Sequence, residues 1–425
     1  MRFRSFFLSL LLVFVFAQIV FLSIRAPYLD GVFSPSFWKN IGKVGYVMLL
    51  AEESYVNQAD ADFDDLGDNA LHGLIGGLDS YSNYLSGQEF EDYDIPTRQS
   101  YAGIGAEVRE VESRVTIMGL NESGAAMESG ILPGDWIVEV DGEDVEDLET
   151  RGIVALLRGE PGTTVEIGVR RVDVDEVIRE QLERRLLTFE SVREIKLLPG
   201  DIGYLAMGVF GQRTSGELET AIEGLLESGA QSLIIDLRNN PGGLLNSARD
   251  ILELFVPAGV KILTVEGRDR GVIEIFKTTR PITVPEDLPV VILQNRFSAS
   301  ASEILAGVLQ ALGRAIVVGE ISRGKGSVQS VFEFEGGDGL SLTTARYILP
   351  DGRAIEGVGL EPDELIEMEE GEILQLSIQK SHDFGLTEEE FEERFGFSQI
   401  KDRSLEKALE LLSSGKGKEE VGSPQ

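Results

Sequence analysis

Between Ile202 and Val318 the chain alternates between two periods, and this constrains its fold more than any other feature. Short apolar runs at Ile202 to Met207, Ser232 to Leu237, Val290 to Leu293 and Ala315 to Val318 read as strands. Helical stretches near Ser215 to Ser228, at Leu245 to Phe255 and at Ser302 to Leu312 lie between them. Strand–helix alternation predicts a layered α/β core. From Ser327 to Ile348 the pattern turns β-like, as in Val331-Phe332-Glu333-Phe334.

A chain of 425 residues is too long for one ordinary core, so two or three domains are expected. Residues 37 to 92 read as helical, with Val44, Val47, Met48, Ala51 and Tyr55 at helical spacing and a second helix over Asp68 to Leu78. Residues 78 to 85 read as its polar exit. Residues 100 to 187 change character. Strands are predicted at Ala106 to Arg109, Val115 to Met118, Trp136 to Val140 and Val165 to Arg170, with turns at Pro133-Gly134, Asp141-Gly142 and Pro161-Gly162. One helix fits Leu148 to Leu157. Beyond about 370 the chain is acidic and helical, with helices at Thr387 to Arg394 and Ser404 to Leu412, then a polar tail from Ser413 with the composition of a disordered segment. The resulting division is 1–25, 26–98, 99–187, 188–370 and 371–425.

The sequence carries 73 acidic and 38 basic residues, a formal net charge of −35. That argues against nucleic acid as a partner, because phosphates need Lys and Arg to neutralise them. No cysteine is present, which removes disulfides, thiolate metal sites and cysteine nucleophiles. Arg2 and Arg4 precede an apolar run from about Phe6 to Ile24, long enough to span a bilayer. The positive-inside rule then puts the rest of the chain on the outer side of the cytoplasmic membrane, periplasmic or extracytoplasmic. Ser23-Ile24-Arg25-Ala26 is a poor cleavage site, so an uncleaved anchor is expected over a signal peptide that releases a soluble periplasmic protein.

With only His72 and His382, histidine-based catalysis has little to draw on, and His72 reads as structural. Ser298-Ala299-Ser300-Ala301-Ser302-Glu303 opens a helix. Ser-x-x-Glu is in the first place a capping box. The same geometry offers free N–H groups and the positive end of a helix dipole to an oxyanion. Spacing does not choose among the three serines. Lys325, between Gly324 and Gly326, is the candidate base. A lysine acts as a base only when neutral, so its ordinary value of about 10.4 must fall by desolvation. Gln329 can hold the amine without adding charge. Gly319-x-x-x-x-Gly324-Lys325 nearly spells a phosphate-binding loop, but Gly326 stands where Ser or Thr should bind magnesium, and strands follow instead of a helix. In Asp236-Leu237-Arg238-Asn239-Asn240-Pro241-Gly242-Gly243, a turn after a buried strand, Gly242 or Gly243 could present a second N–H to an oxyanion.

These motifs, in this order, resemble the carboxyl-terminal processing (tail-specific) proteases from about residue 40 to 370. The match includes Ala345-Arg346-Tyr347 and Gly357-Val358-Gly359-Leu360-Glu361-Pro362-Asp363. The resemblance implies a multidomain α/β protein: a layered core of crotonase or ClpP type, an inserted PDZ domain, and helical N- and C-terminal segments. It implies a serine endopeptidase with Ser300 as nucleophile, Lys325 as base and Gln329 as its orienting group. Oxyanion donors would come from Ala301 and the Gly242-Gly243 turn. It implies no metal or cofactor. The PDZ domain would capture protein or peptide substrates by an apolar C-terminus at Gly103, Ile104 and Gly105, with Arg158 linking capture to activation. A homo-oligomer and an adaptor protein stay open as partners. The alternative is an inactive PDZ scaffold that tethers partners at the membrane.

Overall fold

The computed structural model describes residues 34–414 apart from 94, 112, 122, 172–173, 269–270, 382–386 and 396. The N-terminal apolar run, His382 and the tail beyond Ser414 lie outside the described residues. Among those described, no helix is long and apolar enough to cross a membrane. The chain divides into two compact units, residues 1–89 with 331–342, and residues 90–330 with 343–425.

In the first unit, helix α1 spans Pro35–Ser54 and α2 spans Phe63–Gly76. Asp62 caps α2 by accepting from the Asp64 N–H at 2.8 Å, so the helix begins earlier than the apolar spacing alone suggests. The stretch expected to be a polar exit contains a strand, β1 at Asn83–Leu85, antiparallel to residues 339–341. His72 lies 3.5 Å from Glu89 and edge-on to the Tyr84 ring within this unit.

Helices α3 (Gly87–Tyr93) and α4 (Ile95–Arg98) lead into the second unit's β-rich module. Strand β2 (Ser100–Gly103) enters the module and β9 (Arg185–Thr188) leaves it. The two pair antiparallel, so both linkers cross at one place. Between them, β3 (Ala106–Val111), β4 (Arg114–Leu120), β5 (Trp136–Val140), β7 (Thr164–Arg171) and β8 (Val174–Glu183) form one sheet in that order, with β6 (Glu143–Asp144) paired to β5. Helix α5 (Thr150–Leu157) turns Ile153 and Leu157 into a core with Ile104, Ile117, Ile137, Ile167 and Val169. Strand β3 is an outer strand of the sheet.

The α/β core holds β10 (Val192–Leu198), β11 (Ile202–Met207), β12 (Ser232–Asp236), β15 (Val290–Gln294), β16 (Ile316–Gly319) and β19 (Glu364–Leu365) in that order. All neighbours are parallel except β10, which is antiparallel to β11. Alternate residues serve two cores. Leu205, Leu233, Ile235, Ile292 and Val317 face helices α6 (Thr214–Glu227), α7 (Leu245–Phe255) and α8 (Ala301–Ala311). Tyr204, Ile234, Val291, Leu293 and Val318 face a second cluster. After α9 (Glu370–Ser381) and α10 (Glu388–Phe395), helix α11 (Arg403–Ser413) closes that second face with Ala408 and Leu411. Burial on both faces is why the strands read as unbroken apolar runs. A separate sheet pairs β13 (Lys261–Glu266) with β14 (Val272–Lys277) and with the end of β18 (Gly339–Ile348), which also pairs with β17 (Ser327–Glu333).

Candidate active site

Ser300 ends the loop after β15 and stands as N-cap of α8. Its backbone is unusual for a non-glycine residue, with φ 55° and ψ −114°. Such a conformation costs roughly 1–3 kcal/mol and persists only when its surroundings hold it. Three contacts hold it. The Ser300 N–H donates to Glu303 Oε2 at 2.8 Å. The Ser300 carbonyl accepts from the Ile304 N–H at 2.9 Å and from the Tyr347 hydroxyl at 3.2 Å.

The geometry separates the three serines. The Ser298 hydroxyl is buried and donates to the Leu237 carbonyl at 2.8 Å. The Ser302 hydroxyl is buried and donates to the Asn240 carbonyl at 3.0 Å. Ser300 alone of the three is partly open to solvent.

Lys325 comes to Ser300 through shared partners. The Glu303 carboxylate is fully buried. Its Oε2 accepts from both the Ser300 N–H and, at 2.9 Å, the Lys325 N–H. Its Oε1 accepts from the Gly324 N–H at 2.7 Å and from the Ser322 hydroxyl. The Tyr347 hydroxyl, which reaches the Ser300 carbonyl, also donates to the Lys325 carbonyl. Two groups 25 positions apart in sequence are thus fixed on one carboxylate oxygen and one phenol. The Gly324 amide that a phosphate loop would offer to a ligand is spent on Glu303, and strand β17 follows where a helix would be required. Gly324 has φ +83°, and a Cβ there would lie 2.8 Å from the Gly359 nitrogen. Only glycine lets the lysine loop sit against the Gly357–Gly359 turn. Gln329, half-buried on β17, donates through Nε2 to Ser327 Oγ at 3.0 Å and Thr343 Oγ1 at 3.2 Å.

The Asp236–Gly243 turn packs against the serine. A Cβ on Gly242 (φ +98°) would stand 2.8 Å from Ser300 Cβ and 2.9 Å from the Ala301 nitrogen. The Asn240 carbonyl accepts from the Ala299 N–H at 3.0 Å. The Gly242 N–H is already spent on Asn240 Oδ1 at 2.9 Å. Among the described residues, neither the Ala301 N–H nor the Gly243 N–H donates to a protein acceptor. Of the two glycines named from sequence, Gly243 is therefore the one with a donor to offer. Among the described residues no group of His, Asp and Glu is arranged to hold a metal ion.

Residues 201–366 match the model of peptidase family S41, and residues 102–180 match a PDZ domain. A carboxy-terminal-processing protease of Bartonella bacilliformis is 30% identical over 334 residues, covering 78% of this chain and 76% of that protein. The chain belongs to the carboxy-terminal processing proteases of family S41. It is a peptide-bond hydrolase carrying a PDZ domain. The carboxy-terminal processing protease CtpA of Bacillus subtilis is 33% identical over 308 residues, 72% of this chain, and the chain spans 65% of that protein's length. Among solved structures, a photosystem II D1 C-terminal processing protease aligns with 76% of this chain and 92% of its own at 25% identity and a TM-score of 0.45.

In this protease the Gly103-Ile104-Gly105 loop joins β2 to β3. Gly105 takes φ +86°, and a Cβ there would lie 2.5 Å from the Gly124 Cα. Ile104, named with Gly103 and Gly105 for C-terminus capture, is buried in the module's own core, and its carbonyl accepts from the Ala126 N–H. The loop thus has backbone rather than the Ile104 side chain to offer a ligand. Arg158, the residue that ends α5, is paired with Asp92 of α3 at 2.5 Å. Sequence reasoning missed Glu303 as more than a cap, and gave Tyr347, named only within the Ala345-Arg346-Tyr347 motif, no role at the site. The signal available was Glu303 itself, an acidic residue that the helix pattern places on a buried turn.

Proposed function

We propose that this protease cleaves protein substrates near an apolar C-terminus by a Ser300–Lys325 dyad. One observation carries the reading. A single buried carboxylate fixes the backbones of a solvent-reachable, strained serine and a lysine that are distant in sequence. Lys325, when neutral, takes the Ser300 Oγ proton as Oγ attacks the scissile carbonyl carbon. The carbonyl oxygen becomes an oxyanion, which the Ala301 and Gly243 N–H groups stabilise. Lys325 then gives that proton to the leaving amine, and water repeats the sequence on the acyl-enzyme. With both Gln329 Nε2 hydrogens engaged by Ser327 and Thr343, its Oε1 is the end that can accept from the Lys325 amine. The PDZ module adds the substrate's last residues as a strand on the outer edge of β3, beside α5, with the loop at Gly103–Gly105 on the terminal carboxylate. The apolar run from Phe6 to Ile24, led by Arg2 and Arg4, anchors the chain with its catalytic part outside the cytoplasmic membrane.

Three measurements test this reading. A serine-directed phosphonate should label Ser300 and nothing else, as read by peptide mass spectrometry; labelling that persists in Ser300→Ala would overturn the assignment. A peptide substrate with a free apolar C-terminus should be cut with a KM about 10-fold below that of its C-terminal amide. Equal KM values would show that the carboxylate is not what the module reads. Gln329→Ala should lower kcat on the order of 10-fold and leave KM within about twofold, since it acts on the base and not on the substrate. An unchanged kcat would make Gln329 a structural strand residue.

A further inference from the structure

Arg238 begins the turn that carries Gly243, and its guanidinium is almost fully buried, with the side chain 7% exposed. Asp236, the last residue of β12, engages it at 2.9 Å from Nε and 2.6 Å from Nη2. The Tyr204 hydroxyl in turn donates to Asp236 at 2.7 Å. The other side of the fork is held from far away in sequence. Asp402 accepts from Nη1 at 2.7 Å and from Nη2 at 2.8 Å, a paired contact between two desolvated side chains. Asp402 is also the N-cap of α11, accepting from the Leu405 N–H. The residue after Arg238, Asn239, sits at φ +61° and is tied to Asn295 by two hydrogen bonds, at 2.9 and 2.8 Å. The next residue, Asn240, gives its carbonyl to Ala299 and Ser302, the neighbours of Ser300.

We propose that Asp402 is a positioning residue for the hydrolysis, acting through Arg238 to set the turn that presents the Gly243 N–H. The inference rests on the Ser300 reading above. It makes the N-cap of the C-terminal helix, and not the helix itself, part of the positioning of the site, although Asp402 lies beyond residue 366, where the match to the peptidase family ends. The mechanism is geometric. Phe210 holds the far end of the turn, its N–H donating to the Gly242 carbonyl at 2.8 Å and its carbonyl accepting from the Leu244 N–H at 2.7 Å. The left-handed start at Asn239 is held by the side-chain anchors at Arg238 and Asn295, which set the angle at which the segment runs toward Gly243. Removing the Asp402 carboxylate leaves Arg238 paired with Asp236 and able to pivot about it. Displacements of about 1 Å at a reacting centre cost up to about 10²-fold in rate.

The test uses Asp402→Asn in the full chain, because asparagine caps a helix as well as aspartate. The expected result is a kcat lowered about 10-fold, a KM within about twofold of wild type, and slower phosphonate labelling of Ser300. Leu411→Ala, which loosens α11 against the sheet without touching Arg238, should lower Tm and leave kcat near wild type. If Asp402→Asn does not fold, Asp402→Ser retains the cap and takes its place. A wild-type kcat in the Asp402 variant, or an equal loss of kcat in Leu411→Ala, overturns the proposal. Failure of the underlying reading looks different: wild-type protein that does not cleave, or Ser300→Ala that does.

Discussion

Replacing Ser300 by alanine is expected to lower peptide cleavage by about 10⁴-fold or more, with a circular dichroism melt close to that of the wild type. The change removes one oxygen from a partly exposed side chain. The contacts that hold the strained backbone are all made by its N–H and carbonyl, and these survive. Lys325→Ala should cost nearly as much, because an Oγ that keeps its proton is a poor nucleophile. The sharper expectation concerns the double variant. Groups that act as one unit are not additive, so Ser300→Ala with Lys325→Ala should be no slower than either single variant. If the two losses multiply instead, the residues do not work on the same step and the dyad is wrong. A Lys325→Ala variant with near-wild-type turnover would sink the base assignment by itself.

Strands β11, β12, β15 and β16 were legible because each is buried on both faces, so that their interiors are apolar whatever the parity and polar residues (Ser232, Asp236, Gln294) stand only at their ends. Helix α7 was legible to the residue because its apolar face is strongly patterned, with Ile251, Leu252 and Phe255 inside. By contrast, β8 and β10 did not read as strands. Val174–Glu183 and Val192–Leu198 are rich in charge, five consecutive residues of β10 are exposed, and the inward face of β8 carries Leu182 and Ile178 with Glu180 between them, so neither strand shows a clean apolar alternation. Strand β14 was missed for a related reason. Val272, Ile273 and Ile275 are exposed on an outer strand beside Glu274 and Lys277, so apolar and polar positions do not sort onto a buried and an open face. The site divides in the same way. Ser300, Lys325 and Gln329 could be nominated from chemistry and resemblance, and the buried, bonded hydroxyls of Ser298 and Ser302 support the proposal of Ser300. What joins these residues is long-range. Tyr347 comes from another sheet, and the Arg238–Asp402 pair spans 164 positions. No local period encodes such contacts.

The second large effect belongs to Glu303. Its carboxylate accepts four hydrogen bonds at a site from which water is excluded, two on each oxygen. Glu303→Gln preserves size but turns one oxygen into a donor. With the NH₂ toward Ser300 and Lys325, two amide donors lose their acceptor. With the NH₂ toward Ser322 and Gly324, the Gly324 N–H is stranded, and the Ser322 hydroxyl must reverse while it already accepts from the Leu360 N–H at 2.7 Å. Either way at least one buried donor is left unpaired, at about 1–3 kcal/mol each. The variant should therefore fold with stability reduced by about 2 kcal/mol. Its kcat should fall on the order of 10²-fold, because the Ser300 and Lys325 backbones lose their common anchor. KM should change little, since Glu303 is buried away from any substrate. Glu303→Ala opens a cavity as well and should be worse on both counts. If Glu303 were only the acidic member of a capping box, Glu303→Gln would be nearly silent, because glutamine serves that motif equally well. A wild-type kcat in Glu303→Gln would reduce this carboxylate to a helix cap, and a loss of kcat that exceeds the loss of stability would identify it as the group that brings nucleophile and base together.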